Sequence, residues 1–366
     1  MGKKMNINDY VFLARLEYEK NGQSDLFIKA QNAIIESKKA EWIYKFARNV
    51  EGADIKQLQD AIIATKDTEY IYSFANNVNG ANINGLQDAI IATKEGYYIY
   101  QFARDVEGAD IEKLQDAVIS TKDGCAIYCF ALHVEGADAT KLEDAIISAK
   151  STYFMPSFAR DIKGADIQKL QDALIEITMT NENDFGVGEH IYRFAKEVEG
   201  ADISRLGRAI IKTKFAEYIY KFAKDIEGAD MQTLQEGIID AHEAKYCYKF
   251  ARDFKDVEGV DIIKLQEGLL AEDIVNPRAY YYSDCGHYCY MFARDFKDVE
   301  GVDIKKLQAK VIRSRNIGAI EAFAKAVKGA NVSELRSQTL AVYKDFEYKD
   351  FKYKDCRETS YTRSIY

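Results

Sequence analysis

The sequence predicts an all-α fold: an elongated, right-handed α-solenoid of about ten 28-residue helix-turn-helix repeats, preceded by a degenerate N-terminal capping hairpin. Three observations carry this. A phenylalanine recurs at Phe46, Phe74, Phe102, Phe130 and Phe158, and again at Phe194, Phe222, Phe250, Phe292 and Phe323. A glycine follows each one, and an Asp or Asn stands two residues after that glycine, as in Gly108 and Asp110. Pro is almost absent, at 156 and 277 only, as a chain of helices requires.

The unit is clearest in YIYQFARDVEGADIEKLQDAVISTK, residues 98–122. Tyr98, Ile99, Phe102, Ala103 and Val106 have the spacing of one helical face. Gly108 stands where a helix end needs a left-handed residue, and Asp110 can cap the next helix. Ile111, Leu114, Ala117 and Val118 then form a second apolar face. The product is an αα-hairpin that cannot bury its own apolar surface, so neighbours must stack. A stack of ten or eleven such units, with helices about 8–10 Å apart, would extend roughly 100 Å.

The chain divides in order. Residues 1–39 form the capping hairpin, which lacks the FA and EGAD marks and is expected to present a polar outer face. Residues 40–177 hold five regular units; in the fifth, Pro156 requires its helix to start late. Residues 178–189 are a polar, glycine-containing insert, and 190–270 hold units six to eight. Residues 271–287 are a Tyr-rich insert, and 288–342 hold units nine and ten. Units eight and nine share an enlarged first helix, FARDFKDVEGVD, expected to gain nearly one turn. Residues 343–366 are a charged aromatic tail, with a closing helix expected around Leu340 to Phe346.

This architecture resembles the broad class of α-solenoids, nearest the short HEAT-like helical-pair repeats, over most of the chain. The unit is shorter than the tetratricopeptide and ankyrin units and lacks their signature residues. The resemblance implies a scaffold for binding and transfers no functional residue. HEAT-like DNA glycosylases make nucleic-acid or nucleotide binding the alternative, although Trp42 is the one indole available for stacking.

A net charge of −9 argues against a general nucleic-acid binder. No apolar run reaches membrane-spanning length, no secretory signal or myristoylation motif opens the chain, and six cysteines suggest reduced thiols. The expected location is cytoplasmic. Richness in Ile, Lys, Asn and Tyr suggests a bacterial or phage source, and an inhibitor of a host-defence complex is one concrete form of a binding scaffold.

Catalytic signals are poor. His133, His190, His242 and His287 lie in different units, and no phosphate-binding loop is present. No enzyme activity, cofactor or metal is expected. Cys285, His287 and Cys289, with Cys247 one unit earlier, make a metal-like cluster, but Cys247 and Cys289 occupy a core position and read as small apolar residues. Pairs such as Gln115–Asp116 and Gln235–Glu236 read as a solvated face of the second helix.

The first helix offers the candidate binding surface. Two residues before eight of the ten phenylalanines stands a tyrosine (Tyr44, Tyr72, Tyr100, Tyr128, Tyr192, Tyr220, Tyr248, Tyr290). Two residues after eight of them stands a base (Arg48, Arg104, Arg160, Lys196, Lys224, Arg252, Arg294, Lys325). As i and i+4 neighbours they share a face, and stacking would make two parallel ladders. Tyr72, Tyr100, Arg104, Tyr192, Lys196, Tyr220, Lys224 and Arg252 are the residues selected for ligand contact. The plainer reading pairs each base with an acid of the next unit, such as Asp105 or Asp225, and leaves each tyrosine to cover its neighbour's core. Tyr280, Tyr281 and Tyr282 are the second candidate site. A protein is the expected partner.

Overall fold

A computed structural model describes residues 7–180, 186–271 and 285–342. All regular structure among them is helical. Helix contacts divide the chain into two compact units, Met1–Leu174 and Ile175–Tyr366.

The first unit opens with α1 (Ile7–Asn21) and α2 (Asp25–Glu36). Four hairpins follow: α3 (Ala40–Asn49) with α4 (Ile55–Thr65), α5 (Thr68–Asn77) with α6 (Ile83–Thr93), α7 (Gly96–Asp105) with α8 (Ile111–Thr121), and α9 (Gly124–His133) with α10 (Ala139–Ser148). Next come α11 (Met155–Asp161) and α12 (Ile167–Thr180), which contains the division between units. Pro156 lies in the first turn of α11, and that helix starts late as its proline requires.

The second unit continues with α13 (Val187–Glu197), α14 (Ile203–Lys212), α15 (Ala216–Asp225), α16 (Met231–Asp240), α17 (Ala244–Phe254) and α18 (Ile262–Ala271). It ends with α19 (Cys285–Phe296), α20 (Ile304–Ser314), α21 (Ile317–Ala326) and a last helix, α22, at 332–342. Within each unit a helix packs on its hairpin partner, and first helices stack on first helices. Second helices stack in the same way, so the packing is that of a helical-repeat solenoid.

The recurring residues are the core. Phe46, Phe74, Phe102, Phe130 and Phe158 are fully buried, as are Phe194, Phe222, Phe250, Phe292 and Phe323. Leu58, Leu86, Leu114 and Leu142 face them from the second helices, also fully buried. Gly108 takes φ +80°, which a residue with a Cβ adopts only under strain, and Asp110 then accepts from Lys113 N at 3.1 Å to cap α8. Where the stop after a second helix is described, it is also left-handed but carries a basic residue: Lys38, Lys66, Lys94, Lys122, Lys150, Lys214, His242 and Arg315 have φ between 52° and 60°. The lysine or arginine cation at that point faces the negative end of the second helix, which offsets part of the local strain.

Three expectations are corrected. The N-terminal hairpin does not present a polar outer face: Phe12, Leu13 and Leu26 are 61%, 46% and 60% exposed. The glutamines of the second helices are not solvated, since Gln59, Gln87, Gln115, Gln235, Gln266 and Gln308 are all buried, and only their acidic neighbours such as Asp116 and Glu236 face water. Each buried amide instead accepts from the backbone N–H of the next hairpin's capping residue, as Gln87 does from Asp110 and Gln115 from Asp138, at 2.8 and 2.7 Å. Finally, the three extra residues of units eight and nine do not add a helical turn. The first helix stops at Phe254 or Phe296, and the extra residues enlarge the turn that follows.

Of the residues read as an insert at 178–189, those at 178–180 continue α12 and those from Val187 begin α13, while 181–185 lie outside the described residues. The insert at 271–287 is described only at Ala271 and at Cys285–His287, and the tail from 343 onward lies outside the description.

Candidate functional site

The first-helix ladders form because the tyrosine and the base stand two residues before and two residues after the buried phenylalanine, and so one helical turn from each other. Tyr72 Oη donates to Asp105 in the next hairpin at 2.6 Å, and Tyr128 donates to Asp161 at 2.5 Å. Tyr248 donates to Asp295 at 2.7 Å, and Tyr192 and Tyr220 make the same bond to Asp225 and Asp253. Four of the five acceptor carboxylates, all but Asp225, are fixed from their own hairpin. Arg104 grips Asp105 with Nε at 2.6 Å and Nη2 at 2.7 Å, and its Nη1 reaches Tyr100 Oη at 2.7 Å. Arg160, Arg252 and Arg294 hold Asp161, Asp253 and Asp295 in the same two-point manner.

The paired acid is therefore the arginine's own neighbour in sequence, and the tyrosine makes the cross-hairpin bond. Lys196 alone in the selected set follows the expected pattern, donating to Asp225 of the next hairpin at 3.0 Å and to Tyr192 Oη at 2.7 Å. Lys224 lies 6.0 Å from the Tyr220 ring centre.

Burial, followed by the hydrogen bond to an ionised carboxylate, pushes the phenols of Tyr72, Tyr128 and Tyr220 up to about 12. The adjacent guanidinium holds Asp105, Asp161 and Asp253 below the usual carboxylate range. For Asp225 the Tyr192 hydroxyl acts first and Lys196 second, in the same direction.

A second aromatic row lies two residues before the first and was not singled out from the sequence. Tyr98 sits 6.2 Å from Tyr72, Phe154 5.8 Å from Tyr128, Tyr246 5.9 Å from Tyr220 and Tyr288 6.0 Å from Tyr248, each one hairpin further on. The signal was present, because an aromatic four residues before the core Phe recurs in most units. Within each unit the rows interleave, and the hydroxyls of Tyr72, Tyr128, Tyr192, Tyr220 and Tyr248 in the first row are engaged between hairpins. A ligand on this face would meet the outer edges of Arg104 and Arg252, whose side chains remain 38% and 48% exposed.

The turns from first to second helix make a different edge. Glu51, Glu107 and Glu135 in the first unit, and Glu199, Glu227, Glu258 and Glu300 in the second, are exposed and form no ion pair among the described residues. These seven glutamates share one register, immediately before the turn glycine; Asn79, Lys163 and Lys328 hold that place in the other three hairpins.

The cysteines are core residues as expected at Cys247 and Cys289, both fully buried. Cys285 and Cys289 place their sulfurs 3.9 Å apart, while His287 of the metal-like cluster is exposed. Burial and the neighbouring Cys125 push the Cys129 thiol up to about 11, so it stays protonated near neutrality. Among the described residues, no group of three or more His, Cys, Asp or Glu is arranged to hold a metal ion, and no helix is long and apolar enough to cross a membrane. Tyr280, Tyr281 and Tyr282 lie outside the described residues.

No protein-family model matches the chain. No curated protein matches it either.

Proposed function

We propose that this chain is a non-catalytic repeat scaffold that binds another macromolecule, a protein, in the cytoplasm. Ten right-handed hairpins after the N-terminal pair belong to this reading, and so does the idea of an inhibitor or adaptor encoded by a bacterium or phage. The observation that carries it is the unpaired glutamate row on the turns, set against cations on the first helices that are already held by aspartates. Phosphate backbones are repelled by such an edge, whereas a polypeptide bearing Lys or Arg is attracted to it.

Affinity capture of the tagged chain from its source cell, with and without nuclease, tests the reading. A protein retained after nuclease is the expected result; material lost with nuclease points instead to nucleic acid.

That second reading draws on the exposed guanidinium edges beside the aromatic seam. The double variant Arg104→Ala with Lys224→Ala separates the two. We expect a lower Tm with binding retained by the folded molecules. Lost binding at an unchanged Tm would make the ladder the ligand face.

A further inference from the structure

Two consecutive hairpins share one run, FARDFKDVEGVDI, at 250–262 and 292–304. Its packing differs from that of every regular hairpin. In α7 the residue four beyond the core phenylalanine is Val106, which ends the helix and is 6% exposed. In the enlarged hairpins that place is taken by Phe254 and by Phe296, the latter only 3% exposed. The valine that precedes the acidic turn is displaced outward as a result: Val257 and Val299 are 41% and 39% exposed. The same turns carry Val260 and Val302 where a regular hairpin has alanine, as at Ala109. The insertion has thus put aliphatic surface, twice, on an edge that is elsewhere acidic and polar.

A groove of about 520 Å³ opens at this point, lined by Val260, Ile263 and Val299, by Gln235, which accepts from Asp261 N at 2.7 Å, and by one cation, Lys264. Glu258 and Glu300 stand next to it in the two enlarged turns, without ion partners among the described residues.

We propose that this groove docks a short polypeptide segment in which an aliphatic side chain is flanked by Lys or Arg. The aliphatic group covers the valines, and the cations meet Glu258 and Glu300 while their methylene stems lie along the apolar wall. This rests on the reading of the chain as a protein-binding scaffold and names the chemistry of its partner.

The test is fluorescence anisotropy of the full chain with two labelled pentapeptides, Lys-Leu-Lys-Leu-Lys and Lys-Gly-Lys-Gly-Lys. We expect the leucine peptide to bind at least about tenfold more tightly than the glycine peptide. The variant Val299→Ser should abolish that preference without lowering Tm, because this side chain lines the groove and is already exposed. Glu258→Gln with Glu300→Gln should weaken both peptides and remove the salt dependence. Equal binding of the two peptides, no binding, or an unchanged preference in the valine variant overturns the proposal. A concentration-dependent dimer lost in the valine variant assigns the face to a second copy, and overturns it too. Capture from the source cell is then repeated with the valine variant. A protein retained by both forms leaves the scaffold reading standing and removes the groove; a protein retained only by the unaltered chain supports the groove.

Discussion

The side-chain amide of Gln115 joins two hairpins: it is 3% exposed and accepts from Asp138 N at 2.7 Å. Removing the acceptor leaves a backbone N–H without a partner inside the stack, so Gln115→Leu should cost about 1–3 kcal/mol in chemical denaturation. The chain contains the reverse experiment at Gly207, which occupies the glutamine register before Asp230, at the same separation of 23 residues as Gln115 and Asp138. A Cβ there would meet only the Phe222 ring, at 3.7 Å, an ordinary contact. Gly207→Gln should therefore raise stability by about 1–2 kcal/mol, from helix propensity and one added hydrogen bond. The tyrosine–aspartate bonds set the pH limits. Tyr72, Tyr128 and Tyr220 hold their protons to about 12 when folded, against about 10 in an unfolded chain, so their contribution is complete below about pH 10 and is lost as pH rises toward 12. The depressed aspartates act oppositely: their contribution is present above about pH 4 and is lost as pH falls further. A Tm–pH profile should show both limbs, and Tyr220→Phe should flatten the alkaline one.

At the scale of the hairpin, Phe102→Ala should cost about 3–5 kcal/mol, because the ring is fully buried and its cavity cannot collapse between two helices. Gly108→Val should do comparable damage through backbone strain at φ +80°. Gly237 limits the stack in a different way, since a Cβ there would stand 2.4 Å from Ile211 on the preceding second helix. Gly237→Ala should destabilise by about 1–3 kcal/mol through overpacking, the opposite sign to the change at Gly207. These elements were legible in the sequence because their chemistry is local: the phenylalanine register, the turn glycine and the Asp cap all act within a few residues. Partnerships between hairpins were not. Gln115 reads as polar, and hence as solvated, until its partner 23 residues away is known. The Tyr72–Asp105 bond spans 33 residues, and nothing in the local pattern says that the tyrosine, not the base, crosses between hairpins. The left-handed basic residues, from Lys38 to Arg315, were missed because a lysine gives no sign of positive φ. The expulsion of Val257 and Val299 required knowing which residue of an enlarged turn keeps the buried place.

For the molecule as a whole, stability is a sum of hairpin terms and nearest-neighbour joints, so a joint that lacks one bond is a place where opening begins. Within the first unit every joint from α2 onward is closed by a buried side chain bonded to the next capping residue: Gln31 to Asp54, Gln59 to Asn82, Gln87 to Asp110, Gln115 to Asp138 and Glu143 to Asp166. At Glu143 the amide is replaced by a buried carboxylate, and the more exposed Lys169 answers it at 3.0 Å, so the charge is paired and the joint is kept. In the second unit the α14–α16 joint has glycine at that place, and Asp230 receives no such bond. Hydrogen exchange should register the difference. The turn around Asp230 is expected to exchange at least about tenfold faster than the turns around Asp110 and Asp138, a difference of about 1.4 kcal/mol in local opening. Gly207→Gln should slow it to their level and leave the first unit unchanged. Equal protection at all three turns in the unaltered chain would show that the aliphatic and aromatic contacts alone hold the joints, and that the buried glutamines fix register without adding to their strength.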